Sequence, residues 1–185
     1  MTSITNGISI VDPIRRIGTV MQIAFISNDL RADAAAWSRD FGVGPFYELT
    51  HIPVTNTRYR GAPASMDISA AIAYWGDLQV ELIQQFDDAP SVYREGCHNQ
   101  QMGVHHLGVH VEDYDKAFAQ MRELDAVPVT ETEIPGAVRA TYFEVPGRLP
   151  FIEIIEVQPE FRAGWAEMKE AAASWSGEDP YRLSA

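Results

Sequence analysis

The chain has 185 residues and a mass of 20.6 kDa, and its 46% hydrophobic and 22% charged residues are the proportions of a folded globular protein, which excludes disordered and fibrous classes. Fourteen Lys and Arg against twenty-six Asp and Glu leave a net charge of -12, a balance that repels nucleic-acid backbones and anionic membrane surfaces. One cysteine, Cys97, excludes an intramolecular disulfide and a thiolate metal cluster, and predicts a reducing, cytoplasmic setting.

In chain order, residues 1–16 carry Pro13 and the pair Arg15-Arg16 without an apolar stretch beside them, so they read as a short arm and not as a secretion signal. No run approaches the length of a membrane-spanning helix, which predicts a soluble chain. The segment from Gln22, QIAFISNDLRADAAAWSRDFGV, predicts a strand, an acidic turn at Asn28-Asp29 and a helix started by that turn. Residues 47–54 and 68–74 have strand composition, and QVELIQQ at 79–85 is a further apolar strand. Residues 90–103 are polar and glycine-rich and read as a linker. From His106, HLGVHVEDYDKAFAQMRELDAV repeats the strand, turn and helix, with Glu112-Asp113 at the turn. Strands over 127–132 and 139–145 follow, then FIEIIEV at 151–157. Residues 161–174 place Phe161, Trp165 and Met168 at helical spacing, which predicts a packing helix, and the chain turns polar from Gly177.

The two strand-turn-helix segments lie over each other with an offset of 84 residues, and the two late strands with an offset of 72. The first copy therefore holds about twelve extra residues, which fall near 55–67. Each copy reads as β, α, β, β, β. The expected organisation is an α+β protein of two tandem βαβββ modules, 17–89 and 104–158, with helices outside two curved sheets, preceded by the arm at 1–16 and followed by a helix and tail at 159–185.

Glu81 and Glu153 recur at matched places inside otherwise apolar strands, where an unpartnered carboxylate is expensive to bury and so demands a partner. At the 84-residue offset Gln22 matches His106; the adjacent His105 faces the other way along a strand, and a one-residue slip would exchange the two. An imidazole, two carboxylates and an amide oxygen are a donor set that suits borderline or hard divalent ions such as Zn, Ni, Co, Mn or Mg. Gly108 and Ala24, two residues along from His106 and Gln22, share their faces and leave the space beside them open.

Paired modules with Gln or His in the first strand and Glu in the last resemble the vicinal oxygen chelate superfamily, which includes glyoxalases, bleomycin resistance proteins and extradiol dioxygenases. The resemblance covers about residues 17–158 and rests on MQIAFISNDL, QVELIQQ, VHHLGVHVEDYDKA and FIEIIEV. It implies a cleft holding one divalent metal on Gln22, Glu81, His106 and Glu153. Iron-dependent oxygen-activating members put His where Gln22 stands, so the set looks closer to the branch that stabilises an enolate or enediolate, as in methylmalonyl-CoA epimerase and glyoxalase I. By likeness to glyoxalase I, Glu153 would be the catalytic base, with Glu81 the second acid/base group. Epimerases of this kind carry a further catalytic Glu on the preceding strand, whereas here the segment DISAAIAYW has Ser69, Ala70 and Ala71. The resemblance further implies a small-molecule substrate, an acyl thioester or a hemithioacetal, and a homodimer. Arg58 and Arg60 in the first-module insertion, which reads as a lid, and Arg139 and Arg148 in the second module are candidates to hold an anionic substrate. His110, on the face of His106, and Tyr74 are candidates for further contacts. The leading expectation is a metal-dependent epimerase or isomerase, the first alternative a glyoxalase I-like lyase. A metal-free binding module and an Fe(II) dioxygenase stand behind them.

Overall fold

A computed structural model describes residues 17–95, 103–147 and 150–184. Its elements are β1 (Thr19–Ile26), α1 (Leu30–Phe41), β2 (Phe46–Leu49), β3 (Thr55–Tyr59), β4 (Ala62–Pro63), β5 (Ile68–Trp75), β6 (Leu78–Gln85), a short 3-10 turn (Val92–Arg94), β7 (Val104–His110), α2 (Tyr114–Glu123), β8 (Val127–Ile134), β9 (Val138–Glu144), β10 (Phe151–Val157), α3 (Pro159–Ala173) and β11 (Tyr181–Leu183). The two acidic turns act as expected. Asp29 accepts from the Ala32 amide and Asp113 from the Lys116 amide, each capping the helix that follows.

The expected two sheets are one. All eleven strands join in the order β11-β2-β5-β6-β1-β7-β10-β9-β8-β3-β4, a curved sheet that does not close. Its middle is the antiparallel ladder between β1 and β7, the first strands of the two repeats, with Gln22 opposite Gly108 and Ala24 opposite His106. Parallel partners flank this seam: β6 against β1, with Ala24 opposite Glu81, and β10 against β7, with Gly108 opposite Glu153.

Strand alternation separates two kinds of core. On the convex side Val80 and Leu82 pack with Leu30 and Ala34 of α1, and Val109, Ile152 and Ile154 pack with Ala117 and Met121 of α2. On the concave side Ile68, Ala70, Ile83, Tyr93 and Tyr142 form a third cluster. That concave cluster is where the buried polar residues converge.

The extra residues of the first copy are an edge hairpin. Arg60 and Gly61 take φ of 46° and 81°, the left-handed values a two-residue hairpin turn requires, and β3 then pairs antiparallel with β8 of the second repeat. This corrects the expectation of a free polar lid over 55–67. The first repeat thus crosses to the far edge of the second.

The chain beyond Gly177, expected only to be polar, forms β11 parallel to β2. The Phe46 amide donates to the Pro180 carbonyl at 2.8 Å, the Ser184 amide to the Glu48 carbonyl at 2.9 Å, and the Arg31 guanidinium lies 4.6 Å from the Tyr181 ring centre. This strand covers hydrogen-bonding groups that β2 would otherwise leave open at the sheet edge. A chain ended at residue 173 is expected to melt at a lower temperature and to associate through β2 beyond the state of the full chain, as read by scanning calorimetry and analytical sedimentation; a melting curve and sedimentation profile unchanged from the full chain would contradict this role for β11.

Candidate active site

The four central strands, β6, β1, β7 and β10, contribute Glu81, Gln22, His106 and Glu153 to the concave face from two adjacent rows of the ladder, Glu81 and His106 flanking Ala24, and Gln22 and Glu153 flanking Gly108. His106 is fully buried, and Gln22 and Glu153 are nearly so. The three acceptors meet at one atom: His106 Nε2 lies 3.1 Å from Glu153 Oε2, 3.5 Å from Glu81 Oε2 and 3.3 Å from Gln22 Oε1.

Neighbouring bonds orient each of these groups. Gln22 Nε2 donates to Gln79 Oε1 at 2.6 Å and Gln79 Nε2 to the Tyr74 hydroxyl at 3.0 Å, a relay that turns the Gln22 oxygen toward His106. Gly108 makes room for it, since a Cβ there would stand 2.6 Å from Gln22 Oε1 and 2.8 Å from its Cβ. On the other side of the imidazole, His105 Nε2 faces the Val92 carbonyl at 3.0 Å and must donate to it, because a carbonyl only accepts. With its Nε2 proton so committed, the neutral His105 ring accepts from His106 Nδ1 at 2.9 Å. His106 Nδ1 therefore carries hydrogen and Nε2 is aimed at the acids.

Electrostatics follow from burial and these contacts. Burial, followed by the nearby His106 charge, lowers the His105 imidazole to about 3, so it stays neutral. For His106 burial also works against the charged form, but Glu153 and Glu81 overcome it and hold the ring up at about 9. Burial, reinforced by Glu153, raises the Glu81 carboxyl against the opposing pull of His106. The result is an imidazolium held between two carboxylates.

Gln22, Glu81 and Glu153 open onto a cavity of about 90 Å³, with the buried His106 behind them. Gln22, Glu81 and Glu153 form its polar side, Tyr93 and Tyr142 contribute two hydroxyls 2.9 Å apart, and aliphatic side chains of β5, β8, β9 and β10 form most of the rest. Burial raises both phenols, which remain protonated donors. Phe161 and Trp165 of α3 complete the wall, so the helix expected to serve packing alone also shapes the cavity. No pattern in the polar linker singled out Tyr93. Tyr142 was findable, since it shares the face of Ala140 on β9 and lies opposite Glu153 in register.

The proposed substrate contacts lie elsewhere. Arg58 donates to the Gly61 carbonyl at 2.6 Å within the hairpin, and Arg60 is bound to Glu95 and lies 3.4 Å from Glu144. Arg139 stacks 3.7 Å over the Tyr114 ring and pairs with Asp115 at 2.9 Å. Tyr74 serves the Gln79 relay, and His110 sits near the outer Glu112 at 3.8 Å with its Nε2 unpartnered. None of these five side chains lines the cavity. Ser69, Ala70 and Ala71 are buried on β5, and the position opposite Glu81 is Ile72, so β5 adds no third carboxylate to the site. Arg148, Cys97 and His98, with the arm at 1–16 and half of the linker, lie outside the described residues.

Among the described residues no three His, Cys, Asp or Glu side chains stand apart in the manner of a metal cage. Here the carboxylates touch the imidazole directly, as an ion-paired cluster does. The donor set itself is that of a divalent-ion site: imidazole nitrogen, two carboxylates and an oriented amide oxygen facing one another. With the Nε2 proton of His106 given up, these four groups could hold a divalent cation between them, so residues and ion are chemically matched.

Comparison with known proteins places the site in context. Residues 21–143, about two thirds of the chain, match the family model described as the glyoxalase/bleomycin resistance protein/dioxygenase superfamily. Similar solved structures include the methylmalonyl-CoA epimerase from Mycobacterium tuberculosis, at 15% identity and TM-score 0.54, covering 78% of this chain and 91% of that one. A variant of the Streptomyces coelicolor methylmalonyl-CoA epimerase in complex with 2-nitronate-propionyl-CoA gives 15% identity and TM-score 0.53, covering 77% and 96%. A hypothetical protein from Bacillus halodurans C-125 gives 14% and 0.53, covering 76% and 94%. None of the curated proteins matches the sequence. At these identities the solved structures establish the fold.

Two outcomes are expected from this geometry. Gly108→Ala should force Gln22 out of place and destabilise the protein by about 1–3 kcal/mol, measured by chemical denaturation; a neutral effect would show that Gln22 is not held against the strand. The raised His106 pKa stabilises the metal-free fold below the usual imidazole value of 6.5, and that contribution is lost as pH rises through about 9. The melting temperature of metal-free protein should therefore fall across that interval, and His106→Gln should flatten the fall.

Proposed function

This chain belongs to the glyoxalase/bleomycin resistance protein/dioxygenase superfamily, and from that premise we propose that it is a divalent-metal-dependent enzyme that stabilises an enolate or enediolate, an epimerase or isomerase of the methylmalonyl-CoA epimerase-like type. The observation that carries this reading is the placement of two carboxylates, the buried Glu153 and the largely buried Glu81, on either side of one imidazole at the wall of an apolar cavity. Gln22, Glu81, His106 and Glu153 are the residues that would hold the metal ion. When bound, a divalent ion supplies Lewis acidity to two adjacent substrate oxygens and so makes the neighbouring C–H more acidic.

The chain's own residues account for the proton. Glu153 is the proposed base, and Glu81, placed across the pseudo-two-fold seam, is the second acid/base group. Burial raises the proton affinity of Glu81, which suits a group that must gain as well as release a proton. Gln22 is held by its amide relay and accepts without titrating. The aliphatic walls limit the access of water to the carbanionic carbon, and the Tyr93 and Tyr142 hydroxyls add protic groups to the lining. Two acid/base groups on opposite sides serve an epimerisation, in which the proton leaves one face and returns to the other; the same pair serves a lyase of the glyoxalase I type. The small-molecule substrate carries vicinal oxygens, as an acyl thioester or hemithioacetal does, and a homodimeric, cytoplasmic protein is proposed.

Elemental analysis of purified protein is expected to find one equivalent of Zn, Ni, Co or Mn per chain in the wild type or after loading, and none in His106→Ala. Glu153→Gln should retain folding and lower solvent deuterium exchange into an enolisable substrate by at least about 100-fold. A wild type that takes up none of these ions would overturn the catalytic reading and leave a small-molecule binding protein.

A further inference from the structure

The polar side of the cavity accounts for two substrate oxygens and one acidic C–H; the remainder of its wall describes what else the substrate carries. Ile68 and Ile72 of β5, Ile134 of β8 and Ile155 of β10 face one another across it, and Phe161 and Trp165 of α3 close the side away from the seam. A charged substituent placed among these groups would lose its hydration with nothing in return. Positive charge that might have met one is committed elsewhere, with Arg60 on Glu95, Arg139 on Asp115 and Lys169 on Asp77 at 2.6 Å. Size narrows the class further. A dry apolar cavity of about 150 Å³ takes benzene, and this one has about 90 Å³ with its polar side included, which sets a branched aliphatic group of three or four carbons as the upper limit.

We propose that the substrate of this site bears a compact branched aliphatic group, of isopropyl or isobutyl size, next to its vicinal oxygens, and that Phe161 and Trp165 on the helix beyond the family-matched segment set the size it accepts. This rests on the enolate-forming reading above. It extends that reading, because the metal-facing residues specify only the oxygens, while the aliphatic walls and α3 specify the group attached to them. The acid that leaves its proton on Glu153 then has its apolar branch against the isoleucines.

The test uses 2-oxo acids, which present a carboxylate and a ketone oxygen as the vicinal pair and an exchangeable hydrogen at the next carbon. Pyruvate, 3-methyl-2-oxobutanoate, 4-methyl-2-oxopentanoate and oxaloacetate are titrated into zinc-loaded full-length protein, with binding read from tryptophan fluorescence and exchange from NMR in deuterium oxide. Affinity is expected to rise about fourfold per added carbon from pyruvate to the branched acids, with oxaloacetate no tighter than pyruvate. Trp165→Ala should abolish the rise while leaving the zinc content unchanged, and Ala140→Leu should exclude the branched acids while sparing pyruvate; both are followed by NMR shifts. Equal affinity along the series, or tightest binding by oxaloacetate, would overturn the proposal.

A separate arm keeps it distinguishable from the metal reading. Acetamide, isobutyramide and isovaleramide are titrated into metal-free protein and followed by the Trp165 indole NH shift. A rise with the branched group supports the cavity's specificity even if zinc fails to load, and a flat response overturns it even if zinc loads.

Discussion

Everything at the centre of this protein depends on balancing buried charge. Two carboxylates on strands with apolar neighbours cannot be taken from water alone, since an isolated ionised group in that setting costs several kcal/mol. His106 is what makes the pair tolerable, with Nε2 within 3.5 Å of both. Its other nitrogen is committed to His105, and His105 to the Val92 carbonyl of the linker. The ring cannot rotate away without leaving several buried polar groups unpaired. A segment that looks like mere connection in the sequence thus anchors the central imidazole through one carbonyl.

The repeat made much of this legible. Its offset aligned Gln22 with His106 and Glu81 with Glu153, and the structure carries each pair on equivalent strands about the β1 and β7 seam. Small residues at Ala24 and Gly108 left space beside those side chains, as alternation along a strand suggested. The acidic turns before both helices were readable because N-capping is local chemistry. What stayed hidden depends on partners distant in sequence. Pairing of β3 with β8, and of β11 with β2, leaves no periodic trace in either member. The partners that hold Arg60 and Arg139 were hidden for the same reason, since each lies on another element.

The cavity shows why fold and chemistry can be shared while specificity is not. The polar cluster belongs to four central strands, which the whole sheet holds in register. The apolar wall draws mostly on outer strands and on α3, whose residues 159–173 fall, like Glu153, beyond the family-matched segment. Substitutions on that helix are free to reshape the wall without disturbing the buried acids, a division of labour that suits a scaffold used for many reactions.

The crossing of β3 to the far edge of the second repeat bears on how the chain is built in time. Thr57 of β3 meets Thr132 of β8 across 75 positions of sequence, and Asn56 meets Glu133 across 77. During synthesis the hairpin has no edge to join until the second repeat has left the ribosome, so neither half can finish before the other. Long-range pairing of this kind raises contact order and slows folding. The two repeats descend along the chain one after the other, yet they mature together, and a nascent chain halted at the linker would present an unmatched strand to the cell's quality control.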